Sequence, residues 1–172
     1  MSARSEGFPP IAAPDARVLI LGSLPGQASL AAQQYYAQPQ NAFWRIMGEL
    51  IGAGPDVPYD ERTALLRASG IALWDVCKAA VRPGSLDAAI DLRSVVINDF
   101  RRFFREHPRI VHVCVNGGTA HRLYTKKVQP GLRDPWVVLP VHLLPSTSPA
   151  HASLRFAQKL ERWRQLQDWL SG

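Results

Sequence analysis

The sequence predicts an α/β fold, a three-layer α/β/α sandwich around a central four-stranded parallel sheet. Three observations predict it. Four short apolar, β-rich runs are spread along the chain, helical patterns separate them, and each run is hydrophobic almost throughout, as in strands covered on both faces. Strands that alternate with helices are typical of this fold class. The predicted strands are residues 17–21, 71–76, 110–115 and 136–142.

Five other segments repeat apolar residues at helical spacing, namely 41–51, 60–68, 94–106, 119–127 and 153–170. Asp60, Ser94 and Ser153 are the predicted N-caps, because a short polar side chain can accept a hydrogen bond from the first free N–H groups of a helix. Gly70 and Pro108 follow the second and third of these segments, where such residues commonly end a helix.

The length of 172 residues suits one domain, which is predicted to span residues 16–172. Residues 1–15 contain one glycine and three prolines and are predicted to form an irregular N-terminal leader. Hydrophobic residues make up 47% of the chain, which favours a globular protein over a disordered one. No apolar run approaches the roughly 20 residues of a membrane span, and no apolar secretory core is visible, so a cytoplasmic protein is expected.

The formal net charge of +6 permits a polyanionic partner, although many basic proteins bind no nucleic acid and the arginine-rich run at 101–109 also suits a solvated helix face. Cys77 and Cys114 lie in apolar, strand-like contexts, which predicts buried free thiols. Two thiols cannot hold a four-cysteine iron–sulfur cluster. The five histidines lack zinc-site spacing, and His112 and His142 fall within strand patterns, so no metal or organic cofactor is predicted.

Residues 22–44 form the most informative segment, because they join the end of the first strand to an amphipathic helix through glycines, prolines, amides and two adjacent tyrosines. Such a junction builds a concave site at the carboxyl end of a strand, where open α/β sheets bind ligands. A glycine-rich phosphate loop is a weaker interpretation, since neither a G-x-G-x-x-G pattern nor a Walker lysine is present. A structural loop with buried aromatic residues is a further alternative.

Four polar positions near predicted strand or helix ends allow both a structural and a functional interpretation. Asn41 can cap the helix that follows it, or act in a site. Asp75 can cap or form a salt bridge, or face a ligand. Asn116 can cap a turn or line a pocket. The stretch 144–151 can be a structural Ser/Thr turn, or a set of small donors that grip phosphates.

Three motifs in order resemble the uracil-DNA glycosylase superfamily, and most closely its hypoxanthine-DNA (deoxyinosine) glycosylase branch. They are Gly-Ser-Leu-Pro-Gly at 22–26, Tyr-Tyr-Ala-Gln-Pro-Gln-Asn-Ala-Phe-Trp at 35–44, and Leu-Pro-Ser-Thr-Ser-Pro-Ala-His at 144–151. The resemblance runs from about Pro9 to the C-terminus. It implies that the second strand lies beside the first, with the third and fourth on the other side, so that a site forms between strands one and three.

The resemblance implies a pocket for an extruded base. The backbone amides around Ser23, Leu24 and Gly26 would hydrogen-bond the base and stabilise the charge that it gains on leaving. Phe43 would be the platform on which the base stacks, and Tyr36 would wall the pocket.

Asn41 is the implied catalytic residue. Mismatch-uracil and thymine relatives use an asparagine in the first motif to hold the attacking water, but that position is the apolar Leu24 here. In the hypoxanthine branch the task moves to the asparagine of the Asn-x-Phe-Trp motif, which is Asn41. Its amide would orient water rather than remove a proton.

Asp75 and Asn116 are the implied polar contacts to the base. Asp75 occupies the place where uracil enzymes keep a base-reading asparagine; it could accept from a purine N–H or hold a water, and it would oppose an anionic leaving group unless it is protonated or paired. Asn116 suits a purine edge, because an amide both donates and accepts.

The implied DNA contacts fall in two loops. Arg82 and Ser85 would touch phosphate after the second strand. The loop after the fourth strand would grip phosphates on either side of the flipped nucleotide. The wedge that relatives insert from this loop corresponds to residues 149–151, so it is small unless His151 fills that role. The contacts of the later loop are Pro145, Ser146, Thr147, Ser148 and His151.

The sequence therefore predicts a monofunctional DNA glycosylase that flips out a deaminated base, hypoxanthine first, and hydrolyses its N-glycosidic bond in base excision repair. The expected partner is DNA containing the damaged base, the protein is expected to be a monomer that contacts no membrane, and abasic-site repair enzymes would act next. Excision of uracil or xanthine is an alternative. A non-catalytic module that binds nucleic acid or a modified base, and an enzyme acting on free nucleosides or nucleotides, are the rival interpretations.

Overall fold

A computed structural model describes residues 3–172. The strands and helices follow one another along the chain as β1 (Arg4–Glu6), β2 (Val18–Gly22), α1 (Gln27–Ala32), α2 (Phe43–Ile51), α3 (Tyr59–Ala68), β3 (Ile71–Asp75), β4 (Cys77–Val81), β5 (Val96–Ile97), α4 (Phe100–Glu106), β6 (His112–Asn116), α5 (Gly118–Leu123, continued by a π-helical turn, Tyr124–Val128), β7 (Val141–Leu144), α6 (Phe156–Trp163) and α7 (Gln165–Ser171).

The central sheet has four parallel strands within residues 3–172, in the order β3-β2-β6-β7. The predicted architecture and strand order are confirmed. Every residue of β2 and β3 is buried, because helices and loops cover both faces of the sheet. One core cluster, with Phe104 and Tyr124, lies on one face, and another, with Phe43 and Trp163, lies on the other.

A small antiparallel sheet, β1-β4-β5, was not predicted. Its strand β4 begins after one residue, Val76, that separates it from the end of β3. Strand β1 pairs with β4 from Arg4 to Glu6, so this part of the expected irregular leader is regular structure. Ile11 pairs with Leu73 through two backbone hydrogen bonds, which ties the later leader residues to the main sheet.

The fourth strand begins at Val141 instead of residue 136. Residues 136–138 form a 3-10 turn in which Leu139 N donates to Trp136 O, and Pro140, which has no N–H, separates this turn from the strand. Its apolar residues are partly buried against the core as a turn, and hydrophobicity alone does not distinguish the two conformations.

Three of the predicted helix starts are wrong. Helix α3 begins after Pro58, so Asp60 lies inside its first turn. Asp99, not Ser94, caps α4 by accepting from Arg102 N. The C-terminal segment starts at Phe156 rather than Ser153 and is divided at Arg164 into α6 and α7.

Candidate active site

The strand ends Gly22, Asp75 and Asn116 meet at the carboxyl edge of the sheet, where they border a cavity of ≈ 640 Å³. This is the point at which the strand order changes direction, the position where open α/β sheets bind ligands. Besides Asp75, the lining comes from residues within 22–29, 35–41, 82–88, 116–122 and 146–151. The three loops that carried the sequence motifs are thus brought together around one cavity.

The loop at 22–26 is fixed by its neighbours. Val76 N donates to Gly22 O at 2.8 Å, Cys77 N donates to Ser23 O at 3.0 Å, and the Ser23 hydroxyl donates to Asp87 Oδ1 at 2.6 Å. Ser23, Leu24 and Gly26 all line the cavity, as predicted. Leu24 is also packed into the core, so the position that carries asparagine in some relatives presents only apolar surface here.

Arg82 does not contact solvent as a phosphate ligand would. Its side chain is 2% exposed, pairs with Asp87 at 3.5 Å and donates to the carbonyl oxygens of Leu24 and Pro25. Burial lowers the pKa of Arg82, and Asp87 partly offsets that effect. Arg82 therefore holds the 22–26 loop in place, and its contact to DNA stays a prediction.

Ser85 takes a structural role in the same loop. Its hydroxyl accepts from Gln27 N at 2.9 Å and thereby caps α1, whose N-cap residue Gly26 has no side chain to do so. Ser85 is nevertheless exposed and lines the cavity, so its O–H proton can still be donated outward.

Phe43 does not line the cavity in this structure, and its role as the stacking platform stays a prediction. Its ring is fully buried, and Tyr36 stacks on it with centroids 4.2 Å apart and planes 20° apart. Trp44 and Trp163 meet the ring edge-to-face. Tyr36 and its neighbour Tyr35 both line the cavity.

The backbone of Tyr36 has φ 53°, which places it in the left-handed region that side chains rarely adopt. The Phe43 stack and a hydrogen bond from Asn116 Nδ2 to the Tyr36 hydroxyl, at 3.2 Å, hold it there. Burial raises the pKa of Tyr36 above its ordinary range, so the phenol is neutral at physiological pH. Strained backbone of this kind clusters at functional sites.

Asn41 lies at the cavity rim and also acts as a cap. Its Oδ1 accepts from Phe43 N at 3.0 Å, just before the first turn of α2. A carbonyl-type oxygen has two lone pairs, so the same Oδ1 can accept a second hydrogen bond from a water. The two interpretations of Asn41 are therefore compatible: the cap fixes the side chain that would orient the water.

Asp75 lies at the end of β3, 4% exposed, within the cavity. Its Oδ2 is buried without a hydrogen-bond partner among residues 3–172. Burial raises the pKa of Asp75 to about 7; Asp87 adds to this rise and Arg82 opposes it. Neither the capping nor the salt-bridge interpretation is realised by this side chain.

Asn116 joins two parts of the cavity wall. Besides the Tyr36 contact, its Nδ2 donates to Thr147 Oγ1 at 3.0 Å and its Oδ1 accepts from Thr147 N at 3.0 Å. Thr147 is 1% exposed, and Ala42 N donates to its carbonyl oxygen. Asn116 thus lines the cavity as predicted, whereas Thr147 is held inside this network and is not free to grip a phosphate.

The remaining residues of the 145–151 loop divide into anchors and rim donors. Pro145 is buried outside the cavity lining, and its carbonyl oxygen accepts from Trp163 Nε1 at 2.9 Å, so it anchors the loop; its contact to DNA stays a prediction. Ser146 and Ser148 line the cavity; each hydroxyl accepts from a backbone N–H, which leaves its proton for an outside acceptor. His151 also lies at the rim, next to Ser153.

Three residues of the site were not predicted. Asp87 links Ser23 to Arg82, as described above. Arg122 lies exposed at the rim, where its guanidinium donates to Thr119 Oγ1 at 3.2 Å. Lys159 is 5% exposed and donates from Nζ to Ser148 O at 3.2 Å, and burial lowers its pKa. The sequence does indicate that Lys159 faces the core, since it lies three residues after Phe156 on the apolar face of α6.

A second depression, of ≈ 540 Å³, lies between the N-terminal strand β1, helix α1 and residues 82–84. It borders the outer side of the loop that Arg82 secures. The three motifs converge on the larger cavity instead, so the chemistry belongs there. None of the helices in the described part of the chain is long and apolar enough to cross a membrane.

The fold and the cavity define an open-sheet α/β protein with a cavity at its topological switch point. The family model of the uracil DNA glycosylase superfamily matches residues 9–167. The chain therefore belongs to the uracil DNA glycosylase superfamily, which confirms the family predicted from the three motifs.

Two curated relatives carry the name hypoxanthine DNA glycosylase, the name of the predicted branch. The protein from Methanosarcina acetivorans is 40% identical over 116 residues, covering 67% of this chain and 72% of the relative. The protein from Methanosarcina barkeri is 39% identical over 115 residues, covering 66% and 72%. The solution NMR structure of a candidate uracil DNA glycosylase from M. acetivorans superposes with a TM-score of 0.80 at 33% identity, covering 99% of this chain and all of that one.

Proposed function

We propose that this protein is a DNA glycosylase that removes hypoxanthine from DNA by extruding the nucleotide and hydrolysing its N-glycosidic bond. The observation that carries the proposal is the placement of Asn41 at the rim of a cavity built from the three family motifs. The names of the two curated relatives support the choice of base. Because Leu24 replaces the water-holding asparagine of some relatives, Asn41 is the residue left to do that work.

In this account, the extruded base lies in the cavity against the Tyr36 ring, with the backbone of the 22–26 loop at its edge. The Asn41 oxygen, fixed by Phe43 N, accepts from the water that attacks C1′ of the sugar. An amide is a poor base, so it contributes orientation while the sugar develops oxocarbenium character. The rim hydroxyls of Ser146 and Ser148 donate to the flanking phosphates, and Arg122 adds a positive charge beside them.

The test is an excision assay on labelled oligonucleotides that each carry one hypoxanthine, xanthine or uracil, in single and double strands, with alkali revealing abasic sites. We expect the highest excision rate at hypoxanthine and a lower one at xanthine or uracil. Salt-sensitive binding without any abasic product would contradict the proposal and select the non-catalytic module. Cleavage of free deoxyinosine at the same efficiency would select the nucleoside enzyme.

A further inference from the structure

Asp75 is placed in the floor of the cavity by the sheet itself. It ends β3 in register with Gly22, the last residue of β2. Asp75 Oδ1 and the Tyr36 hydroxyl crowd so closely over Gly22 that an added Cβ would lie 2.5 Å and 2.8 Å from them. The absence of a side chain at Gly22 is what allows the carboxyl group and the phenol to meet there. A base lying on Tyr36 would therefore have the Asp75 carboxyl at its edge.

No cation among residues 3–172 forms an ion pair with the Asp75 carboxyl group, and Arg82 only partly offsets the effect of burial. Its Oδ2 is buried and unpartnered among residues 3–172, and Asn98 Nδ2 donates to the backbone oxygen of Asp75 rather than to the side chain. The neighbouring cation, Arg82, is already committed to Asp87 and to two carbonyl oxygens. An isolated buried carboxylate is strongly disfavoured, so burial favours the protonated carboxyl group.

The phenol and thiol groups around Asp75 are uncharged, and the nearby carboxylate Asp87 favours the protonated form of Asp75. Tyr35 and Tyr36, from the loop before α2, and Cys77, at the start of β4, all have pKa values raised first by burial and then by the Asp75 charge, so they stay neutral. The second carboxylate, Asp87, outweighs Arg82, and the pKa of Asp75 is raised by burial to about 7. A carboxylic acid with a pKa near the working pH is suited to transferring a proton.

We infer that Asp75 is the general acid of the reaction, donating its proton to N7 of the purine as the glycosidic bond breaks. This rests on the proposed function. The C1′–N9 electron pair goes to the base, the Asp75 proton goes to N7, and hypoxanthine leaves as a neutral molecule. The oxygen of the water bonds to C1′ and its released proton passes to solvent, from which Asp75 is protonated again. A neutral leaving group removes the conflict between a carboxylate and a departing anion.

The same geometry gives a preference for purines. A pyrimidine has no imidazole nitrogen to receive the Asp75 proton, so uracil would depart as an anion beside a group that resists negative charge. The contact between the Asp75 carboxyl group and the base thus stabilises the transition state rather than only the bound substrate. It therefore affects the rate of excision more than the affinity for DNA.

The experiment measures single-turnover excision of hypoxanthine from pH 5 to pH 9 by the native protein, Asp75→Asn and Asp75→Glu, with the exposed Asp56→Asn as the matched control. General acid catalysis typically contributes about 10² or more. We expect the native rate and that of Asp56→Asn to fall about tenfold per pH unit above pH 7. Asp75→Asn should be at least about 100-fold slower below pH 7 and independent of pH, while Asp75→Glu should retain the pH dependence.

A second measurement uses the native protein with 7-deaza-deoxyinosine, which has carbon in place of N7, and so does not depend on the variants folding. We expect binding within a few-fold of the hypoxanthine oligonucleotide and no detectable excision. A flat native profile with full activity in Asp75→Asn, or rapid excision of the 7-deaza base, would overturn the acid role while leaving the proposed function intact. Absence of hypoxanthine excision at every pH would overturn both.

Discussion

The polar side chains at the two edges of the central sheet differ in whether they have partners among residues 3–172. At the amino edge, His112 opens β6 and His142 lies in β7, and their ring nitrogens are 3.0 Å apart. Trp169 of α7 stacks over the pair, 3.9 Å from the His142 ring. At the carboxyl edge, Asp75 lines a cavity of ≈ 640 Å³, and its buried Oδ2 has no hydrogen-bond partner within residues 3–172.

The polar side chains at the amino edge therefore have a structural role, whereas Asp75 at the carboxyl edge is available for a functional one. The two histidines form a hydrogen bond with each other and Trp169 stacks on them, so the amino edge offers few polar groups to a ligand. Asp75 has a cavity in place of a partner, and an unsatisfied buried polar group is costly unless something binds there. The following variants test whether loss of chemistry is confined to the carboxyl edge.

Asn41→Ala should have the largest effect on activity. Removing the side chain that orients the attacking water should reduce single-turnover excision of hypoxanthine by about 10²–10³-fold. The loss of the Phe43 cap should lower stability by only about 1 kcal/mol, measured by urea unfolding. The neighbouring exposed Gln40→Ala is the control and should retain full activity; a similar loss in both variants would point to the loop rather than to the amide.

Arg82→Gln should mainly affect stability, because the buried Arg82 side chain holds the 22–26 loop in place. The carbonyl oxygens of Leu24 and Pro25 would lose their donor and Asp87 would lose its cation, which should lower the free energy of unfolding by about 2–4 kcal/mol. Arg122→Gln, at the exposed rim, should leave urea unfolding unchanged. It should instead reduce the dependence of DNA affinity on salt concentration by about one unit of the log–log slope.

The reverse pattern would contradict these assignments. If Arg82→Gln folded normally and lowered the salt slope, Arg82 would be the phosphate ligand that the sequence predicted.

Leu86→Ala should have a moderate effect that depends on the strandedness of the substrate. Leu86 is 60% exposed on the cavity rim, opposite a 149–151 loop with only small or imidazole side chains. An exposed apolar side chain beside the cavity can fill the gap left by an extruded base. We expect about a tenfold loss on fully paired duplex and no change on single strands.

Leu92→Ala is the matched control, since Leu92 is also 60% exposed but lies outside the cavity lining. Equal losses from both leucine variants, or a loss on single strands, would remove Leu86 from this role.

His142→Gln should have the smallest effect on activity, because it changes only the amino edge. Burial lowers the pKa of both histidines, and His112 lowers that of His142 further. The unfolded chain therefore binds protons more readily, so stability is present above about pH 6.5 and is lost as the pH falls through the lowered folded pKa. The variant should lose less stability between pH 7 and pH 5, in urea titrations, with unchanged excision at pH 7. An excision defect would show that the two edges are coupled.

The hydrophobic runs predicted the strands, and the resemblance of the three motifs to the family implied their order. The motifs at the strand ends predicted the edge of the sheet on which the site lies. The sequence also located Asn41, Asp75 and Asn116 correctly at the cavity. It could not distinguish side chains that face inward from those that face outward within one loop. Arg82 and Thr147 belong to polar types that usually stay exposed, and only the three-dimensional arrangement shows that neighbouring loops bury them.

Phe43 illustrates the same limit for aromatic residues. The motif contains two tyrosines, a phenylalanine and a tryptophan, and any of these rings could be a platform. Which ring faces the cavity depends on the left-handed backbone of Tyr36 and on its stacking over Phe43, and neither is encoded by spacing alone.

The most direct test of the central claim is an NMR titration with an oligonucleotide that carries 2′-fluorinated deoxyinosine, which is not cleaved because the fluorine disfavours the oxocarbenium-like sugar. If the carboxyl-edge cavity holds the extruded base, the amide resonances of Ser23, Tyr36 and Asn116 will shift, and those of His112 and His142 will not. An oligonucleotide with undamaged adenine should shift only the rim residues. Shifts confined to the rim with both oligonucleotides, or centred on the amino edge, would contradict the account.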